Sequence, residues 1–305
     1  MASIFLQLAR KVLEGEKRPL TVNEIWNIAK EKGYDKDLST TGKTPWATLS
    51  AMLGVDVRDN ENSLFTTTGT RPNRFVLKSL VASNGEEILN VQPVVDKKIT
   101  LGYLEKNLHP FMVYYGFYYL KAYLKTIQHS KSNKREFGEW VHPDIVGCYY
   151  SFDEWEEEVV AVSSFAGNAA VKLFSFELKR DLSLSNLREA FFQAVSNSSW
   201  ANEGYLAAAE IDNDVEFRTE LKRLSTSFGI GVIKLDVEDP DSSEVIFPAR
   251  SKDLIDWETV NKLAVMNTDF QEFLKRVRKD MDSNEIRKEM YDRVLEREEL
   301  IKSIH

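Results

Sequence analysis

Phe174-Ser175-Phe176-Glu177-Leu178-Lys179-Arg180 is the stretch whose reading decides the fold, and about thirty residues before it stands Trp140-Val141-His142-Pro143-Asp144-Ile145-Val146-Gly147. Side chains alternate across a strand, so Glu177 and Lys179 share one face while Phe176 and Leu178 point into the opposite layer. One surface then carries a carboxylate and an ammonium. If Asp144 arrives on a neighbouring strand, two carboxylates and the Leu178 carbonyl are oxygen donors of the kind Mg2+ takes. Lys179 would then stand beside the water that attacks phosphorus. The plainer reading is that Asp144 is a turn residue after Pro143, with Glu177 and Lys179 a solvated stripe on an edge strand.

Working outward, residues 159–165 and 169–176 read as β-runs, and the acidic residues 153–158 around Trp155 as a solvated connection between strands. Residues 184–195 and 217–228 read as helices, the second ending at Gly229. Residues 205–211, 231–237 and 244–248 read as strands. Alternating strands and helices after the quoted stretch predict a central mixed sheet with helical cover. Upstream, a helix begins within 101–105, and the tyrosines and phenylalanines of 113–123 have the helical spacing of a core. The cations that follow, Lys121, Lys125, His129, Lys131, Lys134 and Arg135, form either a phosphate track or a solvated loop. Residues 257–305 read as charged amphipathic helices that cover the sheet or mediate self-association.

The first 80 residues have another character. Ile4, Phe5, Leu8, Val12 and Leu13 recur at helical spacing up to Gly15, and Thr21 with Glu24 makes a capping-box pattern ahead of a second helix that runs to Gly33. Thr44-Pro45 supplies a cap and a first-turn proline for a third helix, 46–53, ending at Gly54. Residues 64–68 and 74–77 are extended around the turn-rich Gly69-Thr70-Arg71-Pro72-Asn73. Three helices and a two-stranded wing are the order of a winged helix-turn-helix. In such a module the third helix faces a groove, Arg71 and Arg74 reach phosphates from the wing, and Lys43, Thr44 and Thr48 add donors near the helix start. Residues 81–100 are weakly patterned and read as a linker to a body spanning 101–305.

A chain of 305 residues that is 43% apolar can bury a sizeable core. The single cysteine, Cys148, excludes an intramolecular disulfide and a cysteine-based zinc site, as suits a reducing cytoplasm. No secretory signal is read at the N-terminus, and the most apolar run, 111–120, is too short to span a bilayer. The expectation is a cytoplasmic protein without a membrane partner. The net charge of −8 is uneven: residues 1–80 hold 12 Lys and Arg against 9 Asp and Glu, the remainder 28 against 39. Phosphate must therefore be gripped by local patches. Serine-hydrolase and P-loop signatures are absent from the sequence.

Two resemblances sharpen this reading. The segments TVNEIWNIAKEKG, TPWATLSAML and FTTTGTRPNRFVL resemble the HARE-type winged helix, across essentially all of residues 1–80. Pro143-Asp144 with Glu177-x-Lys179 resembles the PD-(D/E)xK nuclease superfamily. The fusion of the two, on LEKNLHPFMV, KTIQHSKSN, EWVHPDIVG, FSFELKR and the segments after them, resembles the HrgA-like bacterial proteins associated with restriction-modification loci. The resemblance implies an α+β or α/β chain, a winged helix-turn-helix joined to a mixed-sheet nuclease-like domain. It assigns Asp144 and Glu177 to the metal, Lys179 to the water, Glu105 to the metal through water, and Gln193 to the scissile phosphate. His142 is read either as a partner that supports Asp144 or, the favoured reading, as a buried ring that fixes the strand.

The expected function is that of a Mg2+-dependent DNA endonuclease of restriction type, with Mn2+ as a substitute ion. Its winged helix would select the sequence or base modification of a duplex, and cutting both strands with one site per subunit implies a homodimer. The alternative is a non-catalytic DNA-binding regulator with a degenerate nuclease body. A third reading, a protein-interaction module, rests on the overall acidity; a steep salt dependence of duplex binding separates it from the other two.

Overall fold

The computed structural model describes residues 4–38, 45–68, 73–83, 103–128, 142–166 and 170–304. It divides into two compact units, the first made of residues 1–102 with 238–244, the second of 103–237 with 245–305.

In the first unit α1 (Ile4–Glu16), α2 (Val22–Glu31) and α3 (Pro45–Asp59) precede a hairpin of β1 (Phe65–Thr67) and β2 (Phe75–Leu77), which runs on into α4 (Lys78–Ser83). The capping box is present: Thr21 accepts from the Glu24 amide, and the Glu24 carboxylate accepts from the Thr21 amide at 2.8 Å. The apolar stripes of the helices close on Phe65, Phe75 and Leu77 of the wing and on Leu20, which precedes α2 and bridges to Phe75. Two boundaries differ from expectation. α1 passes Gly15 and stops after Glu16, where Lys17 takes φ 54°, and α3 passes Gly54 and continues to Asp59. A helical glycine costs only about 1 kcal/mol, less than the burial of Leu49 and Leu53 on the same helix supplies. Of the expected 81–100 linker, residues 81–83 complete α4, and the rest lies outside the described residues.

The loop 238–244 belongs to this unit although it is distant in sequence. Asp241 is buried there, its carboxylate accepting from Asn23 Nδ2 and its carbonyl from Ser50 Oγ.

The second unit is built on a six-stranded sheet in the order β3 (Tyr123–Thr126), β4 (Ile145–Tyr150), β5 (Val171–Leu182), β6 (Glu203–Ile211), β7 (Gly231–Lys234), β8 (Glu244–Phe247). β3, β4 and β5 are antiparallel, while β5, β6 and β7 are parallel. Parallel neighbours require crossovers, and α7 (Leu187–Asn197) and α8 (Val215–Phe228) supply them. One face of the sheet, with Phe174, Phe176 and Leu178, packs on α5 (His109–Tyr119) and on Leu300 of α11 (Arg297–Lys302). The opposite face packs on α7 and α8 at one side, and on α9 (Trp257–Met266) and α10 (Thr268–Ser283) at the other. The packing is close at Gly116 of α5, where a Cβ would meet the buried Leu124 side chain of β3 and oblige it to shift.

The body departs from the sequence reading at several places: α5 ends at Tyr119 and Tyr123 already opens β3, where 113–123 read as helical. Residues 101–102 lie outside the described residues, and from Glu105 a 3-10 turn to Leu108 leads into α5. Residues 159–165 are not a strand: Glu157–Phe165 is helix α6. Its valines suggested a β-run, but no residue of α6 is buried and Glu157 and Glu158 occupy its first turn, where carboxylates favour a helix. The tail is helical as expected. Tyr291 anchors it: its hydroxyl donates to buried Asp280 at 2.7 Å and so accepts from the Tyr150 hydroxyl at 2.7 Å, and Asp280 in turn pairs with Arg276. Among the described residues, no helix is long and apolar enough to cross a membrane.

Candidate active site

The pleat does what its period of two dictates. Phe174, Phe176 and Leu178 are buried in the α5 layer, and Ser175, Glu177 and Lys179 emerge on the α7 side. In the β4–β5 register Ile145 lies opposite Phe176, so Asp144, one residue before β4, comes level with Glu177. The Leu178 amide donates to Asp144 Oδ2 at 2.8 Å, and the Asp144 carbonyl accepts from the Ile127 amide at 2.9 Å. Asp144 is thus held from both flanking strands rather than sitting in a free turn.

Glu177 is 1% exposed. Lys179 Nζ donates to its Oε1 at 2.8 Å and Asn197 Nδ2 to its Oε2 at 2.9 Å. Burial, and then the charge of Asp144, push the Glu177 carboxyl up to about 7 against the opposing pull of Lys179 and Asn197. Burial pulls the Lys179 ammonium down, but the Glu177 carboxylate, with Glu105 and Asp144, more than offsets it and holds the amine above its usual value. The edge-strand reading of these charges is set aside by position, because β5 is flanked by β4 and β6.

The other expected site residues divide. Leu178 presents its amide to Asp144, and its side chain is fully buried. Glu105 lies on the 3-10 turn ahead of α5 with an oxygen 4.0 Å from Lys179 Nζ, about half exposed. Gln193 is half-buried on α7, one turn before Asn197 and on the same helical face. Among the described residues, no three His, Cys, Asp or Glu side chains gather to hold a metal ion, so Glu105 does not complete a carboxylate triad with Asp144 and Glu177. His142 is buried, as expected of a ring that fixes the strand, and its carbonyl accepts from Asn197 Nδ2 at 3.1 Å.

Asn197 is the residue that sequence reasoning undervalued. It is 3% exposed at the C-terminal end of α7, and one amide nitrogen ties Glu177 to the His142 carbonyl, while its own backbone carbonyl accepts from Ser175 Oγ and Trp200 Nε1. The only local signal was a polar residue at a core position of an amphipathic helix. Asn197→Ala leaves two buried acceptors without their donor, so we expect a loss of about 1–3 kcal/mol in urea unfolding.

Of the residues assigned to DNA, Lys43, Thr44, Arg71 and Lys131 lie outside the described residues. Thr48 is exposed on α3. Arg74 does not point away from the wing: its guanidinium donates to the Glu24 carboxylate at 2.8 Å and to the Pro19 carbonyl at 3.4 Å, bracing the capping box. Lys125 is paired with Asp292 at 3.1 Å on the outer side of β3.

The order of three helices and a wing in the first unit agrees with a family match: residues 4–80 fit the HARE-HTH family, the helix-turn-helix domain described for ASXL and restriction endonuclease proteins. The chain therefore carries a HARE-HTH domain at its N-terminus, a class of module that suggests DNA binding. No curated protein and no solved structure matches the chain.

Proposed function

We propose that this protein is a Mg2+-dependent DNA endonuclease of restriction type, in which the HARE-HTH domain engages duplex DNA and the second unit hydrolyses a phosphodiester. The observation that carries the reading is the meeting of Asp144, Glu177 and Lys179 across β4 and β5. Two buried carboxylates, one of which, Asp144, raises the proton affinity of the other, with one ammonium beside them, are an unfavourable cluster for stability alone and a suitable donor set for a hard divalent cation. Asp144 and Glu177 would hold the ion, which when bound polarises the phosphate and draws off its developing charge. Lys179 keeps its proton at neutral pH and stabilises the attacking water and the phosphate oxygens. Gln193, on the α7 face that bears Asn197, would contact the scissile phosphate. Base modification of the substrate and a homodimeric assembly belong to the same proposal.

Incubating the purified protein with modified and unmodified plasmids, in Mg2+, Mn2+ or EDTA, tests it directly. Cleavage that EDTA stops is the expected result. No cleavage of any substrate with either ion would move the assignment to the second reading.

That second reading, a DNA-binding regulator with an inactive body, is favoured by one feature. Asp144 Oδ2 and both Glu177 oxygens are already engaged by the Leu178 amide, Lys179 and Asn197, and no third acid joins them among the described residues. Both readings require duplex binding by the first unit. Replacing Lys43 or Arg71 by Ala should flatten the dependence of log K on log salt by about 0.9 for each phosphate no longer neutralised. Arg74→Ala should instead destabilise the unit by roughly 1 kcal/mol, because its partner is Glu24. Gel-shift titrations over a range of salt, with thermal unfolding of the same variants, separate the two effects.

A further inference from the structure

Helix α6 and the acids before it are not used by the active site, and they are unusual. Val159 and Trp155 are about half exposed, Val162 is 68% exposed and Phe165 93%. Val159, Val162 and Phe165 recur every third residue, so they lie on one side of the helix, while Val160 and Ser163 lie half-buried on the side toward the body. No residue of α6 is buried. A nine-residue helix is too short to be stable on propensity alone, and helices in proteins draw most of their stability from a packed apolar face. Here that face points outward. Contiguous exposed apolar surface of this kind marks an interaction site.

The charge around the stripe says what covers it. Glu154, Glu156, Glu157 and Glu158 are all exposed and surround Trp155 and the first turn of the helix. From Glu136 to Val171 the chain contains no lysine or arginine. Such a surface repels phosphate and anionic lipid, and a second copy would bring the same uncompensated acids against it. We propose that α6 and the loop before it form a docking surface for a partner protein, through a basic amphipathic segment whose apolar side chains cover Val159, Val162 and Phe165 and whose cations face the four glutamates. An aromatic and aliphatic centre within a charged rim is the usual anatomy of a specific interface. The proposal is independent of the catalytic reading.

The test uses the full-length protein and a labelled synthetic amphipathic helix with leucine and tryptophan on one face and lysine on the other, followed by fluorescence anisotropy. The lysine peptide should bind, and its glutamate counterpart should not. V162E combined with F165E should weaken binding at least about tenfold, the loss of a central anchor, with circular dichroism unchanged because both side chains are exposed. E156Q/E157Q/E158Q should flatten the salt dependence. Equal binding of both peptides, or unaltered affinity in V162E/F165E, overturns the proposal. So does light scattering that shows a dimer of the free protein which V162E/F165E dissociates, since the occupant is then a second copy.

Discussion

Asp144→Asn is expected to abolish plasmid cleavage, with a loss of roughly 10^3-fold or more, while leaving folding and duplex binding nearly intact. The size follows from what is removed: a divalent cation is worth several kcal/mol of transition-state charge stabilisation, and each 1.4 kcal/mol is about tenfold in rate. Folding survives because the asparagine oxygen can still accept from the Leu178 amide, the contact Asp144 makes at 2.8 Å. The amide differs from the carboxylate in charge and in ligand strength, not in size. Cleavage assays over a range of Mn2+ concentrations, beside urea unfolding of both proteins, check it. If Asp144→Asn cuts as well as the parent, Asp144 holds no ion.

The second large effect is on stability and its dependence on pH, and it is read without any cleavage. The Glu177 carboxyl sits at about 7 in the folded protein against an ordinary 4.5. Between those values the folded state keeps a proton that the unfolded chain has released, so stability falls as pH rises through that window. Below it both states are protonated, and above it the full loss, roughly 3 kcal/mol, is present. Glu177→Gln cannot ionise and lacks this contribution. Urea midpoints at about pH 5 and about pH 8 should show the wild-type protein losing more stability than Glu177→Gln over that interval. Equal losses in the two proteins would mean that Glu177 ionises at its ordinary value. On the proposed reading a divalent cation would compete with the proton for Glu177, so Mg2+ should then stabilise the wild-type protein more at the higher pH. A hundredfold excess over its dissociation constant supplies about 2.7 kcal/mol.

Much of the site was legible because it depends on local geometry. A strand puts residues two apart on one face wherever it pairs, so Glu177 and Lys179 had to emerge together once 174–180 was read as a strand. The acid before an apolar run at Ile145 was enough to suggest Asp144 as the neighbour, and the β4–β5 register sets it level with Glu177. The capping box at Thr21 and Glu24 was legible for the same reason, since both partners lie within one helical turn. Asn197 was harder. Its role depends on α7 laying its last turn over β5, and no spacing rule links Asn197 to Glu177 across 20 residues. Residues 159–165 misled in the opposite sense, because valines that suggest a strand stand here on an exposed helix.

By itself, then, the sequence determined what periodicity, capping and motif spacing control: the winged-helix order of residues 4–80, the strand that bears Glu177 and Lys179, and the approach of Asp144. Tertiary structure alone decided which groups these meet. Arg74 faces Glu24 rather than solvent, the loop 238–244 packs with the first unit, and Asn197 closes over Glu177. The physical reason is the range of the interactions. Backbone dihedrals and side-chain periodicity are set by neighbours within a few residues, whereas desolvation, ion pairing and a carboxyl displaced to about 7 depend on chain segments that only the completed fold brings together.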